Sequence, residues 1–252
     1  GEGRQGVVYL ADRLGMDVLT VPVALKFFSP VRYSDRNAYQ LDMTRVARIA
    51  ARVTLIQQDN LVDVHNFVEF EDIHVMAMEW VDGYDLRYLL RPAVLQQIQQ
   101  RVDVDRWVYL NDVVLTAGPL QPRIKPGIAI AIVRECLAGL GALHRGDVVH
   151  GDIKPSNIML KRTGNTKIID LGSAFVVHEG HTQRPFTPQY AAPEVLTGNV
   201  PTVYSDLASL GYVLVELLAG PAPFAGGTNF DDLKRAKLNF ARELQQLPPP
   251  EV

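Results

Sequence analysis

The pattern of hydrophobic and polar residues divides the chain into a strand-rich first part and a helix-rich second part. Four segments of the first part are rich in apolar residues or alternate between apolar and polar positions, and we predict them as strands: 7–11, 21–28, 62–69 and 73–80. Residues 38–56 instead repeat apolar side chains at spacings of three and four, from Val46 to Val53, which predicts a helix with one inward face.

The second part repeats its hydrophobic residues with the period of a helix. Residues 128–144 form an amphipathic segment, residues 205–218 are apolar almost all round, as in a core helix, and residues 231–247 form a further helix. Two short strands, at residues 159–160 and 167–169, interrupt this helical part. The pattern therefore predicts an α+β chain in which most strands precede most helices.

Composition and charge narrow the class of protein. The chain has 252 residues with 47% hydrophobic and 21% charged residues, which is typical of a soluble globular protein. The net charge is −3 and there is no long basic run, so we expect no nucleic acid partner and no anionic membrane surface.

The single cysteine, Cys136, cannot form an internal disulfide, which fits a reducing, cytoplasmic compartment. No uninterrupted apolar run approaches the roughly 20 residues that span a bilayer, so we expect no membrane segment here, although the chain could be the cytosolic part of a longer membrane protein.

The stretch His-Gly-Asp-Ile-Lys-Pro-Ser-Asn at residues 150–157 carries the clearest chemistry. Asp152 can accept a proton from an attacking hydroxyl, and Lys154 can neutralise a transferring phosphoryl group. Asn157 and Asp170 can supply two oxygen ligands to magnesium. These four residues together predict phosphoryl transfer, whereas the stretch taken alone also fits a polar turn between two strands.

These residues resemble the protein kinase family, whose catalytic loop reads H-R-D-L-K-x-x-N and whose metal motif reads D-F-G. Gly151 and Leu171 depart from those two motifs. Further matches follow in family order: G-x-G-x-x-G-x-V at residues 1–8, V-A-L-K at residues 23–26, T-P-Q-Y-A-A-P-E at residues 187–194 and S-D-L-A-S-L-G at residues 205–211. Lys154 and Thr187 indicate a kinase of the serine/threonine type. Its catalytic loop is the H-G-D variant, and the resemblance is to bacterial-like kinases.

The resemblance implies ATP and Mg²⁺, and a bilobal kinase-like fold with an N-lobe at residues 1–81 and a C-lobe at residues 82–252. It implies that the glycine loop covers the phosphates, that Lys26 contacts the α- and β-phosphates, that Met78 is the gatekeeper and that Asp85 reaches the ribose. The expected nucleotide-binding residues are Gly1, Gly3, Gly6, Val8, Ala24, Lys26, Met78, Glu79, Val81, Asp85 and Met159. Glu79 and Val81 are expected to act through their main chains. Relative to the family, both ends of the chain look trimmed.

One family feature is absent from the sequence. Kinases place a glutamate on the helix after the lysine strand, where it pairs with that lysine, but residues 38–56 contain no glutamate. Counting from Lys26 puts the usual position near Thr44 or Arg45, whereas counting back from residues 59–62, which resemble the family's H-P-N-I-V, puts it near Ile49. Asp42 shares the inward stripe, so we predict it as a shorter partner for Lys26. The alternative is that Asp42 is solvated and the pair is absent, which would weaken or abolish catalysis.

Two further segments depart from the family. Residues 91–127 form a longer connection than the family has between the hinge, at residues 78–83, and the helix predicted at residues 128–144. They are either a surface segment packed by its own aromatic residues or a docking surface for a regulator or substrate. Gly151 replaces an arginine that would bind an activation-loop phosphate, so phosphorylation of Thr182 or Thr187 is not expected to be an obligatory switch.

The leading hypothesis is a serine/threonine kinase that transfers the γ-phosphoryl of ATP to a protein hydroxyl. Asp152, Lys154, Asn157 and Asp170 are its predicted catalytic residues, of which Asn157 and Asp170 bind the metal. A pseudokinase or nucleotide-binding scaffold is the alternative, because the helix glutamate is missing. A small-molecule phosphotransferase is a remote alternative, because such enzymes share H-G-D but lack the A-P-E segment found here.

Overall fold

The computed structural model describes residues 2–3, 6–16, 19–117, 121–177, 185–224, 226–227 and 229–245. The chain forms two compact units. The first unit contains Gly1–Asp85, Glu135–His150 and Asn157–Glu179; the second contains Leu86–Arg134, Gly151–Ser156 and Gly180–Val252. Because the chain enters each unit more than once, the division at residues 81 and 82 stays a prediction.

The strands of the described residues, in chain order, are β1 (Glu2–Gly3), β2 (Gly6–Leu14), β3 (Thr20–Phe28), β4 (Val64–Phe70), β5 (Ile73–Glu79), β6 (Gly83–Asp85), β7 (Leu115–Thr116), β8 (Arg123–Ile124), β9 (Val148–Val149), β10 (Ile158–Lys161), β11 (Thr166–Ile168) and β12 (Phe175–Val176). The α-helices are α1 (Arg36–Thr54), α2 (Leu86–Leu89), α3 (Pro92–Arg101), α4 (Val104–Tyr109), α5 (Pro126–Arg145), α6 (Pro193–Leu196), α7 (Val203–Ala219) and α8 (Phe230–Gln245).

An antiparallel sheet with the order β1-β2-β3-β5-β4 builds the start of the first unit. Glu71 and Asp72 join β4 to β5 with φ values of 49° and 62°, as the tight turns that match the right-handed twist of a hairpin require. Gly6 is needed because β3 passes so close that a Cβ would lie 2.0 Å from the carbonyl oxygen of Phe27. The predicted sheet is therefore present.

Helix α1 packs its predicted face into the first unit. Val46, Ile49 and Val53 are buried, and so is Tyr39 one turn from the start. The Asp35 carboxylate accepts a hydrogen bond from the Ala38 amide and so begins the helix two residues earlier than predicted.

Two smaller sheets complete the first unit. Strands β11, β10 and β6 form one antiparallel sheet, and β9 pairs with β12. The α5 residues Ala129, Ile132, Cys136, Leu140 and Leu143 are buried. Within the described residues α5 is the one helix whose length and composition would allow a membrane span, but a buried face of this kind is equally typical of a core helix. The expectation that residues 1–252 contain no membrane segment stays a prediction.

In the second unit, α7 begins earlier than predicted. Its N-cap is Thr202, and Ser205 completes a capping box by accepting from the Thr202 amide at 2.8 Å. The helix therefore starts at Val203, two residues ahead of the apolar pattern of residues 205–218.

The extra segment at residues 91–127 has more regular structure than its composition suggests. Helix α3 covers Pro92–Arg101, with the proline in its first turn. Helix α4 was missed, although the Asp103 carboxylate caps it by accepting from the Arg106 amide at 2.8 Å. Gln121 donates to Glu216 of α7 at 3.2 Å, which anchors the end of the segment in the second unit.

Candidate active site

Lys26 lies in the middle of β3, paired across the sheet with Val8 of β2 and Met76 of β5. Only 5% of Lys26 is exposed, and its ammonium donates to Asp170 Oδ1 at 2.5 Å. The amide of Gly172 donates to the same oxygen at 3.1 Å. Burial raises the pKa of the Asp170 carboxyl, but the Lys26 charge and these hydrogen bonds outweigh it and lower the pKa to about 2. The carboxylate is therefore ionised at neutral pH.

The β10–β11 hairpin brings the two predicted metal ligands to the same end of a small sheet. Asn157 directly precedes β10, and Asp170 follows β11 with one residue, Ile169, between them. The Ile169 amide donates to the Asn157 carbonyl at 2.9 Å. His150, which is fully buried, contacts the Ile169 carbonyl at 3.1 Å.

The local donor set suits magnesium. Asn157 and Asp170 offer an amide oxygen and a carboxylate oxygen, and Mg²⁺ is commonly held by one or two such groups with substrate phosphates and water. Among the described residues no group of three His, Cys, Asp or Glu side chains forms a closed metal cage. The residues present fit a metal that arrives with a nucleotide.

The predicted nucleotide-binding residues that the structure describes lie in the first unit. Ala24 pairs with Met78 across β3 and β5, and Met159 pairs with Asp85 across β10 and β6. Val81 is buried. Gly3 pairs with Gly6 in the β1–β2 hairpin. Gly1 lies outside the described residues, as does Thr182 of the activation segment.

Glu79 uses its side chain as well as its main chain. Its carboxylate pairs with Lys167, which is 4% exposed and also donates to the Leu61 carbonyl at 3.0 Å. The main-chain amide of Glu79 donates to the Asp63 carbonyl at 2.9 Å. This ion pair is not predictable from the sequence, because nothing in the local pattern shows that Lys167 points inward.

The second unit holds the catalytic loop as a closed cluster. Lys154 donates to Asp152 Oδ2 at 2.5 Å and to Thr187 Oγ1 at 2.9 Å, and the Thr187 amide donates to Asp152 Oδ1 at 3.1 Å. Thr187 thus contacts both Lys154 and Asp152. Asp206 of α7, 1% exposed, accepts from the Gly151 amide at 2.9 Å. Gly151 has a φ of 76°, a left-handed conformation that suits glycine.

The predicted pair of Asp42 and Lys26 was wrong. Asp42 accepts from Tyr33 Oη at 2.7 Å and from Arg45 Nε at 2.7 Å, whereas Lys26 is paired with Asp170. The inward stripe of α1 identified the correct face, but Arg45 is three residues along the same face and reaches Asp42 first.

A family model described as protein kinase domain matches residues 1–250. The chain belongs to the protein kinase family. Among curated proteins, this kinase domain is 28% identical over 230 residues to serine/threonine-protein kinase PrkC of Bacillus subtilis, which covers 90% of this chain and 30% of that protein. It is 32% identical over 228 residues to serine/threonine-protein kinase PknD of Mycobacterium tuberculosis, covering 89% of this chain and 29% of PknD.

A third relative of the kinase domain is protein kinase C, eye isozyme, of Drosophila melanogaster, with 29% identity over 248 residues, which are 96% of this chain and 31% of that protein. The chain thus spans about three tenths of the length of each of these relatives.

Two further groups of the kinase domain were missed by the sequence analysis. Lys237 of α8 is fully buried and donates to three main-chain carbonyls just before the A-P-E motif, those of Pro188, Gln189 and Ala191. Glu216 of α7 accepts from Tyr190 Oη at 2.5 Å. Burial raises the pKa of the Glu216 carboxyl. The helical period of α7 and α8 marks inward positions but does not show what faces them.

Proposed function

We propose that this chain is an ATP- and magnesium-dependent protein serine/threonine kinase. The cluster of Asp152, Lys154 and Thr187 carries the proposal, because it joins an acceptor of the substrate proton, a phosphate-binding cation and the activation-segment threonine through three hydrogen bonds. Family membership and the names of the relatives support the same activity. Because the chain spans only part of those relatives, the activity and substrates of the whole protein remain part of the proposal.

In the proposed reaction, Asp152 orients the substrate hydroxyl and takes its proton. The hydroxyl oxygen forms a bond to the γ-phosphorus, the bond from that phosphorus to the β–γ bridging oxygen breaks, and ADP leaves with the electron pair. Lys154 steadies the transferring group. Lys26 binds the α- and β-phosphates, and Asn157 with Asp170 hold the metal. Magnesium, when bound, neutralises charge on the phosphate oxygens.

The test of this proposal is the Asp152→Asn variant. General-base assistance contributes roughly 10²- to 10⁴-fold in rate, so we expect turnover to fall by about that factor while ATP binding is kept. Transfer of label from ATP to a generic basic protein measures turnover, and fluorescence titration with ATP and Mg²⁺ measures binding.

Asp12→Asn, an exposed aspartate on β2, is the matched control and is expected to match the wild type. Unchanged turnover in Asp152→Asn would contradict the assigned role of Asp152.

A nucleotide-binding pseudokinase is the second candidate. It is favoured by one observation: Lys26 contacts Asp170 and not a carboxylate of α1. This candidate predicts that the wild type binds ATP with Mg²⁺ but transfers no label to itself or to a substrate. The same pair of measurements therefore separates the two functions.

Location and partners belong to the proposal as well. A kinase needs cytoplasmic ATP, and a buried free thiol, whose pKa is raised to about 12 by burial, fits a reducing compartment. We place the chain in the cytoplasm or on the cytoplasmic side of a longer membrane protein. Protein substrates are expected from the family, and residues 91–127 are the segment where we would look for a bound regulator.

A further inference from the structure

Arg45 lies on the inward face of α1, where the resemblance implies a glutamate near Thr44 or Arg45 by one count and near Ile49 by the other. Its Nη1 donates to the Ala174 carbonyl at 2.6 Å and its Nη2 to the Gly172 carbonyl at 2.6 Å. Its side chain is 15% exposed. The helix on which the resemblance implies an anion thus directs a cation inward here, and that cation binds the backbone at the end of the metal motif and just after it.

The positive charge of Arg45 explains why it binds main-chain carbonyls and not Lys26. A glutamate has only acceptor oxygens at neutral pH, so it can bind a lysine but not a carbonyl. A guanidinium has several donors in a fixed plane and can bridge two carbonyl oxygens of one turn. The turn that follows Asp170 presents two such oxygens, at Gly172 and Ala174, to Arg45.

Two further side chains hold the guanidinium in this orientation. Asp42 accepts from Arg45 Nε at 2.7 Å, and Tyr33 Oη donates to Asp42 at 2.7 Å. Burial and the Asp42 carboxylate both raise the pKa of Tyr33, so the phenol keeps its proton and remains a donor. Tyr33, Asp42 and Arg45 therefore form one connected chain of hydrogen bonds that ends on the metal motif.

The turn that Arg45 binds also sets the direction of Asp170. Asp170 has a left-handed φ of 64° and accepts from the Gly172 amide at 3.1 Å. Leu171 and Phe175, on either side of the bound carbonyls, are buried at 3% and 2% exposure. A side chain that fixes Gly172 and Ala174 consequently fixes the backbone that aims Asp170 at Lys26.

We propose that Arg45 is a positioning residue that replaces the missing glutamate. It holds the metal motif by its backbone and does not hold Lys26. The inference rests on the proposed kinase function for its effect on turnover, but its structural content can be tested without catalysis. It also assigns Asp42 a role, as the support of Arg45 and not as the partner of Lys26.

The deciding experiment compares three substitutions of Arg45. Arg45→Ala removes both carbonyl bonds, and we expect kcat to fall about 10- to 100-fold with a higher Mg²⁺ concentration at half-maximal rate. Arg45→Lys keeps a charge that can reach one carbonyl and is expected to recover part of the loss. Arg45→Glu restores the residue type of the family but points a carboxylate at two carbonyls, so we expect it to be at least as impaired as Arg45→Ala.

Arg36→Ala is the matched control. Arg36 is on the same helix and pairs with Asp72 at 2.5 Å, but both side chains are more than 70% exposed, at 71% and 72%. We expect its rate and Mg²⁺ dependence to equal those of the wild type. A rate in Arg45→Glu at or above that of the wild type would overturn the proposal, because it would show that a carboxylate at this position restores the usual lysine pair.

Hydrogen exchange supplies a readout that does not need activity. In Arg45→Ala, amides of residues 171–176 are expected to exchange at least about tenfold faster, while amides of β2 and β3 keep their wild-type rates. Faster exchange confined to 171–176 supports the proposal even if the wild type transfers no phosphate, in which case only the kinase function fails. Unchanged exchange in 171–176, or equally faster exchange throughout the first unit, would overturn it.

Discussion

Arg45 in the first unit and Lys237 in the second unit both direct a positive side chain at main-chain carbonyls, but their surroundings differ. Arg45 is bound to two carbonyls and to the Asp42 carboxylate. The Lys237 ammonium is bound to three carbonyls and lies 4.6 Å and 5.2 Å from the ring centroids of Tyr212 and Phe224. Only the arginine has a carboxylate within its hydrogen-bond shell.

The difference decides how each segment responds to pH. An arginine stays charged at any working pH, so the contact with the metal motif is constant. Burial lowers the pKa of Lys237 to about 7, although the negative charge of Glu194 opposes this. The bonds that hold the backbone before the A-P-E motif therefore involve a group that can lose its charge near neutrality.

The largest expected effect comes from removing the lysine. Lys237→Met keeps an apolar chain of similar length but leaves one buried carbonyl, that of Ala191, and two partly buried ones without their donor. Each unsatisfied buried acceptor costs roughly 1 to 3 kcal/mol, and we expect a total loss of about 3 kcal/mol in the free energy of unfolding because water can reach some of them. Urea unfolding measures the change.

Lys234→Met, on the same helix and partly exposed, is the control and is expected to stay within about 0.5 kcal/mol of the wild type. If Lys237→Met were as stable as the wild type, the three bonds would contribute nothing, and the parallel with Arg45 would be lost.

The second effect is the pH dependence that separates the two cations. The unfolded chain keeps the lysine proton up to its usual pKa of 10.5, whereas the folded chain releases it near 7. The unfolded state thus binds more protons between these values, and stability rises with pH across that window by at most about 1.4 kcal/mol per pH unit. The destabilisation of Lys237→Met relative to the wild type should therefore grow from pH 7 to pH 9. A flat difference would show that Lys237 stays charged in the folded state.

A smaller effect is expected for the support of the arginine. Asp42→Asn keeps an acceptor for Arg45 but removes the charge, and hydrogen bonds to charged groups contribute about 1.5 to 3 kcal/mol when fully buried. Asp42 is 29% exposed, so we expect about 1 kcal/mol of lost stability and a kcat a few-fold lower. An unchanged Mg²⁺ dependence in Asp42→Asn would separate Asp42 from the role of Arg45.

The smallest expected effect is that of Tyr33→Phe, which removes only the hydroxyl that donates to Asp42 at 2.7 Å. One such bond contributes about 1 kcal/mol, and we expect a loss of that size or less by urea unfolding. If Tyr33→Phe lowered kcat more than Asp42→Asn, the hydrogen-bond chain would not run in the order Tyr33, Asp42, Arg45.

Local signals in the sequence were sufficient for much of the fold and for part of the site. Alternation and turn residues located β4, β5 and the Glu71–Asp72 turn, and the catalytic-loop motif identified residues that lie together, because Asp152 and Lys154 are two positions apart. Thr187 of the T-P-Q-Y-A-A-P-E motif also contacts Lys154 and Asp152. Helix starts were less exact at α1 and α7, where Asp35 and Thr202 cap the first turn ahead of the apolar pattern.

The sequence by itself determined the family, the order of the longer strands and helices and the residue types available for phosphoryl transfer, since these depend on neighbours along the chain. Tertiary structure alone decided which charges meet. Helical period places Arg45 and Lys237 on inward faces, but their partners, at residues 172–174 and 188–191, come from distant segments. A long side chain selects among such groups by distance and geometry, and these exist only once the backbone has folded.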